Sequence, residues 1–223
     1  MKTQYSSILV LSAFALALPA AQAAEYLFNN STNNQVGIAP PRVAADMPPA
    51  LTSVVSRMSH GSAGFFDLVL PQPPASPGVE CRRGDGTSGT YRLIFSFEND
   101  LVSVENASVT SGTGSISSSM LGPAANQYTV NLAGVPSSQF ITVTLHNAQD
   151  STLATGDVSG TMGVLVGDVS GNGVVSNTDV SLEKGQHAAP VTQSNFRVDV
   201  TVNGVISDTD RSLIKSQIGS TLP

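Results

Sequence analysis

The chain has 223 residues, a formal net charge of −6 and only 12% charged residues, so it offers no basic face for nucleic acid or anionic lipid. Aromatic residues make up 5% and tryptophan is missing, which argues against a flat aromatic platform for sugars. The single cysteine, Cys81, has no partner for an intramolecular disulfide, and a buried, inert thiol is its expected state.

Residues 1–23 read as a secretory signal: Lys2, then an apolar run over 8–18, then the small residues of Ala21-Gln22-Ala23 before a cut. The apolar run is too short to span a bilayer, and no second run of spanning length follows. No cysteine sits at the cut, which argues against a lipid-anchored precursor. The chain is expected to be secreted or held at the cell surface, without a membrane span. Residues 24–50, with Pro40-Pro41 and Pro48-Pro49, read as a linker or poorly ordered N-terminal arm.

From 51 to 166 the pattern has period two. Strands are expected at 51–58, 65–70, 91–97, 101–110, 115–120, 127–132, 140–145 and 153–166, with turn residues every 8–12 positions or so. Within 91–97, Tyr91, Leu93, Phe95 and Phe97 fall on one face. This rhythm, with no helical stripe, predicts a mostly-β fold, an immunoglobulin-like β-sandwich of roughly 7 or 8 strands. Catalytic groups do not converge: His60, His146 and His187 are scattered along the chain. Glu80, Asp85, Glu98, Asp100 and Glu105 read as solvated turn charges, although a carboxylate pair is what glycoside hydrolysis requires.

The C-terminal part carries a repeat. A twelve-residue loop starting at Asp168 recurs at Asp199, each followed by a helix start, with Ser181, Leu182, Lys184 and Gln186 matching Ser212, Leu213, Lys215 and Gln217. Side-chain oxygens at loop positions 1, 3, 5, 9 and 12 and a Gly at 6 suit a hard cation such as Ca²⁺, one ion per loop. The expected ligands are Asp168, Ser170, Asn172, Asp179 and the Val174 carbonyl, then Asp199, Thr201, Asn203, Asp210 and the Val205 carbonyl. Ser176 and Ser207 are expected to act through water. Gly173 and Gly204 permit the sharp turn. Val175 and Ile206 are expected to pair the two loops. Without ions, the same residues would form Gly/Asn-rich turns with helix N-caps.

No amphipathic helix precedes either loop, and position 12 is Asp where an ordinary EF-hand has Glu. A loop followed by one helix, twice over 167–219, resembles the type I dockerin module. The residues that carry the resemblance are Gly167-Asp168-Val169, the Asn-Gly pairs, Asp179, Asp210, Leu182 and Lys184. Upstream, the segment 56–64 (Ser-Arg-Met-Ser-His-Gly-Ser-Ala-Gly) and the segment 77–82 (Pro-Gly-Val-Glu-Cys-Arg) are similar to the Ig-like segment that precedes dockerin repeats in exported bacterial proteins.

The resemblance implies a small α-helical, calcium-folded module, an EF-hand-like loop and helix twice over, followed by a tail at 220–223. It implies docking onto a cohesin-like domain through Asn177, Thr178 and Lys184 or their counterparts Asp208, Thr209 and Lys215. Ser170 and Thr201 are neutral where dockerins more often carry Asn or Asp, so affinity is expected at roughly 10⁻⁵–10⁻³ M. The expected protein is secreted and non-catalytic, and docks a partner. Chelation should unfold 167–219 and leave the sandwich intact. The alternative is a polysaccharide-associated protein, either a carbohydrate-binding module or an accessory to a glycoside hydrolase.

Overall fold

A computed structural model describes residues 47–223, Gly86 excepted. The expected signal, 1–23, and residues 24–46 of the expected linker lie outside the described residues. Ten strands follow: β1 (Leu51–Ser59), β2 (Phe65–Val69), β3 (Val79–Glu80), β4 (Tyr91–Phe97), β5 (Leu101–Ser103), β6 (Asn106–Ser111), β7 (Ser115–Leu121), β8 (Gln127–Ala133), β9 (Gln139–Asp150) and β10 (Thr155–Val164). They form two sheets, ordered β2-β1-β4-β8-β7 and β3-β10-β9-β5, with β6 also paired along β9. The protein is mostly β, as the period-two pattern predicts.

Alternation decides which side chains lie between the sheets. Val54 and Met58 of β1, Leu93 and Phe95 of β4, and Val130 and Leu132 of β8 meet Ile141, Val143 and Leu145 of β9 and Val158 and Met162 of β10. Gly160 of β10 lets the Phe95 ring lie close to the opposite backbone, since a Cβ there would be 2.6 Å from Phe95 Cε1. The expected strand 101–110 divides at 104–105, and β9 runs further than expected because β5, β6 and β10 all pair along it. Strand β3 escapes the sequence pattern: it has two residues and runs parallel to β10. Part of the expected linker is tied down, with Pro49 buried and the Ala50 carbonyl accepting the Glu98 N–H at 3.0 Å.

After β10 come two helices, α1 (Asn177–Gln186) and α2 (Asp208–Ser216). On the helices, two of the differences between the copies compensate each other. Val180 of α1 corresponds to Arg211 of α2, and Glu183 to Ile214. Val180 and Ile214 pack in one apolar cluster, while Arg211 Nε donates to the buried Glu183 Oε2 at 2.6 Å. The loops do not pair with each other as expected. Instead, the Val175 N–H donates to the Ser220 carbonyl after α2, and the Ala188 N–H after α1 donates to the Ile206 carbonyl, both at 2.9 Å. Each loop is therefore closed by the chain leaving the other helix. The expected tail belongs to this arrangement, because Thr221 bridges Val174. No helix among the described residues is long and apolar enough to cross a membrane.

The helical part does not stand apart from the sheets. Phe196 and Val202 are buried in the same apolar cluster as the sandwich interior, and the Phe196 ring stacks on Phe66 with centroids 5.4 Å apart. The expectation that 167–219 unfolds alone therefore gives way to a shared core. Phe196→Ala should remove about 3–5 kcal/mol from the whole. Calorimetry should show one transition moving down in temperature, and two separate transitions would contradict a shared core.

Candidate functional site

In the first loop Asp168 is fully buried and points back into its own turn. Its Oδ1 accepts the Gly171 N–H at 2.8 Å, the Asn172 N–H at 3.1 Å and the Ser170 hydroxyl at 3.0 Å, and its Oδ2 accepts the Gly173 N–H at 2.8 Å. Asp179 enters from the start of α1. Its Oδ1 accepts the Ser170 N–H at 2.9 Å, and its Oδ2 accepts the Ser176 N–H at 2.8 Å, which caps the helix. Asp168, Ser170 and Asp179 are thus brought together. Asn172 turns its Oδ1 to the Val174 N–H at 3.0 Å, closing the turn around Gly173.

The second loop repeats this construction. Asp199 Oδ1 accepts the Asn203 N–H at 3.1 Å and its Oδ2 the Gly204 N–H at 2.8 Å, while Asp210 Oδ2 accepts the Ser207 N–H at 2.9 Å. Asn203 Oδ1 accepts the Val205 N–H at 2.9 Å. The Thr201 hydroxyl lies 2.8 Å from Asp210 Oδ1 and 3.4 Å from Asp199 Oδ1. One hydroxyl hydrogen serves only one of those oxygens, so two buried carboxylates face each other across a neutral side chain. Burial pushes the Asp210 carboxyl above its ordinary range, and the Asp199 charge adds to the push.

These donor sets fit a hard divalent cation. Asp168, Asp179 and Asp210 are fully buried and make no ion pair among the described residues. Buried charge without a counterion is costly, and a coordinated cation is one way of relieving it. The loops offer oxygen alone, as Ca²⁺ prefers. No three His, Cys, Asp or Glu side chains group together among the described residues. Each loop has two carboxylates, and its other oxygens come from Ser170 and Asn172, or from Thr201 and Asn203. The Val174 and Val205 carbonyls complete the candidate sets.

The second loop also receives a group from the sandwich, a histidine beside a turn whose partner the sequence did not point to. His60 Nδ1 lies 2.8 Å from Asp199 Oδ2, with both side chains fully buried. The other ring nitrogen, Nε2, lies 3.1 Å from Arg82 Nη1. A guanidinium only donates, so Nε2 accepts, the ring is neutral, and Nδ1–H donates to Asp199. Arg82 is gripped by Glu80, Nε to Oε1 at 2.8 Å and Nη2 to Oε2 at 2.7 Å. Glu80 is thus not a solvated turn charge but one end of a buried chain, Glu80–Arg82–His60–Asp199. Burial pushes its carboxyl up, but the Arg82 guanidinium outweighs this and holds it below the usual range. Cys81, between the two, is buried as expected, and burial raises its thiol to about 11.

The residues expected to meet a partner are exposed at matching places on the two helices: Asn177, Thr178 and Lys184 on α1, and Asp208, Thr209 and Lys215 on α2. A second constellation lies on the outer face of the β6–β9–β10 sheet. Ser108 Oγ is 2.8 Å from His146 Nε2, and His146 Nδ1 is 2.9 Å from Asp157 Oδ2, the order of nucleophile, base and orienting acid. Asp157 is 54% exposed, and the neighbouring Thr110, Thr144 and Ser159 hydroxyls bond one another. The row reads as cross-strand hydrogen bonding on an open surface.

The Glu80–Arg82 pair gives a pH signature. A depressed carboxyl contributes stability that is complete above its unfolded value of 4.5 and is lost as the pH falls through the lower folded value. Glu80→Gln, which strands a buried guanidinium, should cost about 3–5 kcal/mol at neutral pH. Denaturant titration should show the gap between variant and native chain closing below the carboxylate range. A gap that stays constant with pH would contradict this account of the pair.

No known-family model, no curated protein and no solved structure matches the chain.

Proposed function

We propose that the chain is a secreted, non-catalytic docking protein whose two acidic loops bind Ca²⁺, one ion each. The observation that carries this reading is the single Thr201 hydroxyl set between the buried Asp199 and Asp210 carboxylates, while in the first loop Ser170 joins Asp168 through its hydroxyl and Asp179 through its backbone N–H. A divalent cation supplies the charge these pairs lack. The ligands are Asp168, Ser170, Asn172, Asp179 and the Val174 carbonyl, and in the second loop Asp199, Thr201, Asn203, Asp210 and the Val205 carbonyl. The role of the ion is to fix two helices whose exposed starts present Asn177, Thr178 and Lys184, and Asp208, Thr209 and Lys215. The loop–helix duplication supports a type I dockerin reading, with an Ig-like sandwich upstream and a cohesin-like domain as partner.

Native mass spectrometry should find two calcium ions on the mature chain. At calcium one hundred times the Kd, each ion adds about 2.7 kcal/mol, on the order of 5–10 °C in melting temperature. Because the core is shared, chelator should lower the melt of the whole unit. Capture of a cohesin-type domain should require calcium and should be abolished only when Thr178 and Thr209 are both replaced by Arg, if either helix can dock. An unchanged melt in chelator would remove the calcium reading.

A second reading, a serine-type hydrolase, is favoured by the Ser108–His146–Asp157 row alone. Its test is a fluorophosphonate probe: labelling at Ser108 that Ser108→Ala abolishes would establish it. The expected outcome is no labelling, since the base is 30% exposed and the acid 54% exposed, where water screens the row.

A further inference from the structure

We propose that His60, on the sandwich, is the positioning residue of the second loop: it holds Asp199 for the cation and makes the two calcium sites unequal. The inference rests on the calcium reading above and adds a residue outside both loops.

The two loops differ where His60 arrives. In the first, Asp168 takes three backbone N–H groups, from Gly171, Asn172 and Gly173. Gly171 N–H reaches the carboxylate at 2.8 Å and the Asp168 backbone carbonyl at 3.2 Å, whereas its counterpart in the second loop, Val202 N–H, keeps the backbone bond alone, to the Asp199 carbonyl at 3.2 Å. Two backbone donors remain on the Asp199 carboxylate, from Asn203 and Gly204. The imidazole supplies the further donor, at 2.8 Å on Oδ2, the oxygen already held by Gly204. With Oδ2 occupied twice, Asp199 is fixed in orientation and Oδ1 is left toward Thr201.

Two further features show that the sandwich shapes this loop. Val202 adopts φ +53°, a left-handed conformation costly for a β-branched residue, at the position where the first loop has Gly171 at +75°. That strain is offset by burying the Val202 side chain in the sandwich core. The backbones also meet without room for a side chain on either side. A Cβ on Gly61 would lie 2.4 Å from the Asn203 carbonyl oxygen, and one on Gly204 2.5 Å from the His60 carbonyl oxygen.

The chain behind His60 matters for its charge. Arg82 keeps the ring neutral, and Glu80 neutralises Arg82, so the assembly sets a donor beside Asp199 without adding positive charge against a cation. Outer partners that orient a metal ligand in this way are worth about 10–100-fold in affinity.

The test is calorimetric calcium titration of the mature native chain, His60→Leu and His60→Asn, with Asp199→Asn to identify the second site. Asn can set an amide N–H near the position of Nδ1, but its amide oxygen falls short of the position of Nε2, where Arg82 donates. The native chain should take two ions. His60→Leu should weaken one site about 10–100-fold and leave the other unchanged. His60→Asn should weaken the same site less, and adding His60→Leu to Asp199→Asn should change nothing more. A native chain that binds no calcium would overturn the calcium reading itself. Two ions bound by His60→Leu at native affinities would overturn the role of His60 and leave that reading intact. Should His60→Leu fail to fold, nitrogen-detected NMR of the native chain decides. A proton on Nδ1 that shifts as the second site fills supports the proposal, and a proton on Nε2, or one blind to calcium, overturns it.

Discussion

Arg82 is a cation with no water around it, and the arrangement of the molecule near the joint follows from the need to satisfy it. A guanidinium has five N–H donors in a fixed plane. Nε and one Nη2 hydrogen go to Glu80, the second Nη2 hydrogen goes to the Ser56 carbonyl, and the Nη1 pair goes to the Phe66 carbonyl and His60 Nε2. All five are used. Ser56 lies on β1, Phe66 on β2 and Glu80 on β3, so one side chain pins three strands from both sheets and the turn that carries His60. Above it the Phe196 ring lies 5.3 Å from the guanidinium carbon, bringing in the chain between the two helices.

The repeat is built by one rule and used in two ways. Inside each loop the same bonds recur, because position 1 gathers backbone N–H groups and position 12 caps the helix that follows. Outside, the loops have diverged. The first is closed by Ser220 and held by Arg197, which donates to the Val169 and Asp168 carbonyls. The second is wedged against His60 and Gly61 and gives up a glycine for Val202, whose side chain fills the sandwich core. Where the copies meet, Arg211 and Glu183 replace the apolar pair that strict symmetry would have placed there, and they answer each other.

Local pattern made much of this legible. Alternation in 91–97 gave β4 to the residue, because a half-buried strand needs nothing beyond its own period. The loops were legible as turns because the residues that bond within each lie within twelve positions of one another. The joint was not. Glu80 and Arg82 fall in a Gly- and Pro-flanked stretch with no period, where charges are ordinarily solvated, and His60 and Asp199 are far apart in the chain. The short similarities at 56–64 and 77–82 marked the right places, since Ser56, His60, Glu80, Cys81 and Arg82 are all fully buried. They did not say that the two segments meet each other, still less that they meet the second loop. Val175 and Ile206 were expected to pair the two loops, because two similar loops suggest pairing with each other, and only the fold reveals the crossed closure.

The joint also determines how a bound ion would be felt elsewhere. Whatever stabilises the folded chain by binding it is coupled to everything that folds with its site. Asp199 reaches His60 directly, Arg82 through it, and β1, β2 and β3 through Arg82, so the second loop is no appendage whose order is private. For such an ion the coupling would be reciprocal: a sandwich that keeps His60 in place would favour its binding at Asp199, and a cation held there would favour the folded sandwich to the same extent. The first loop lacks a comparable chain of buried charge. Calcium at the two loops would therefore be distinguishable by its consequences, the first ion ordering the helices and the second tying them to the sheets.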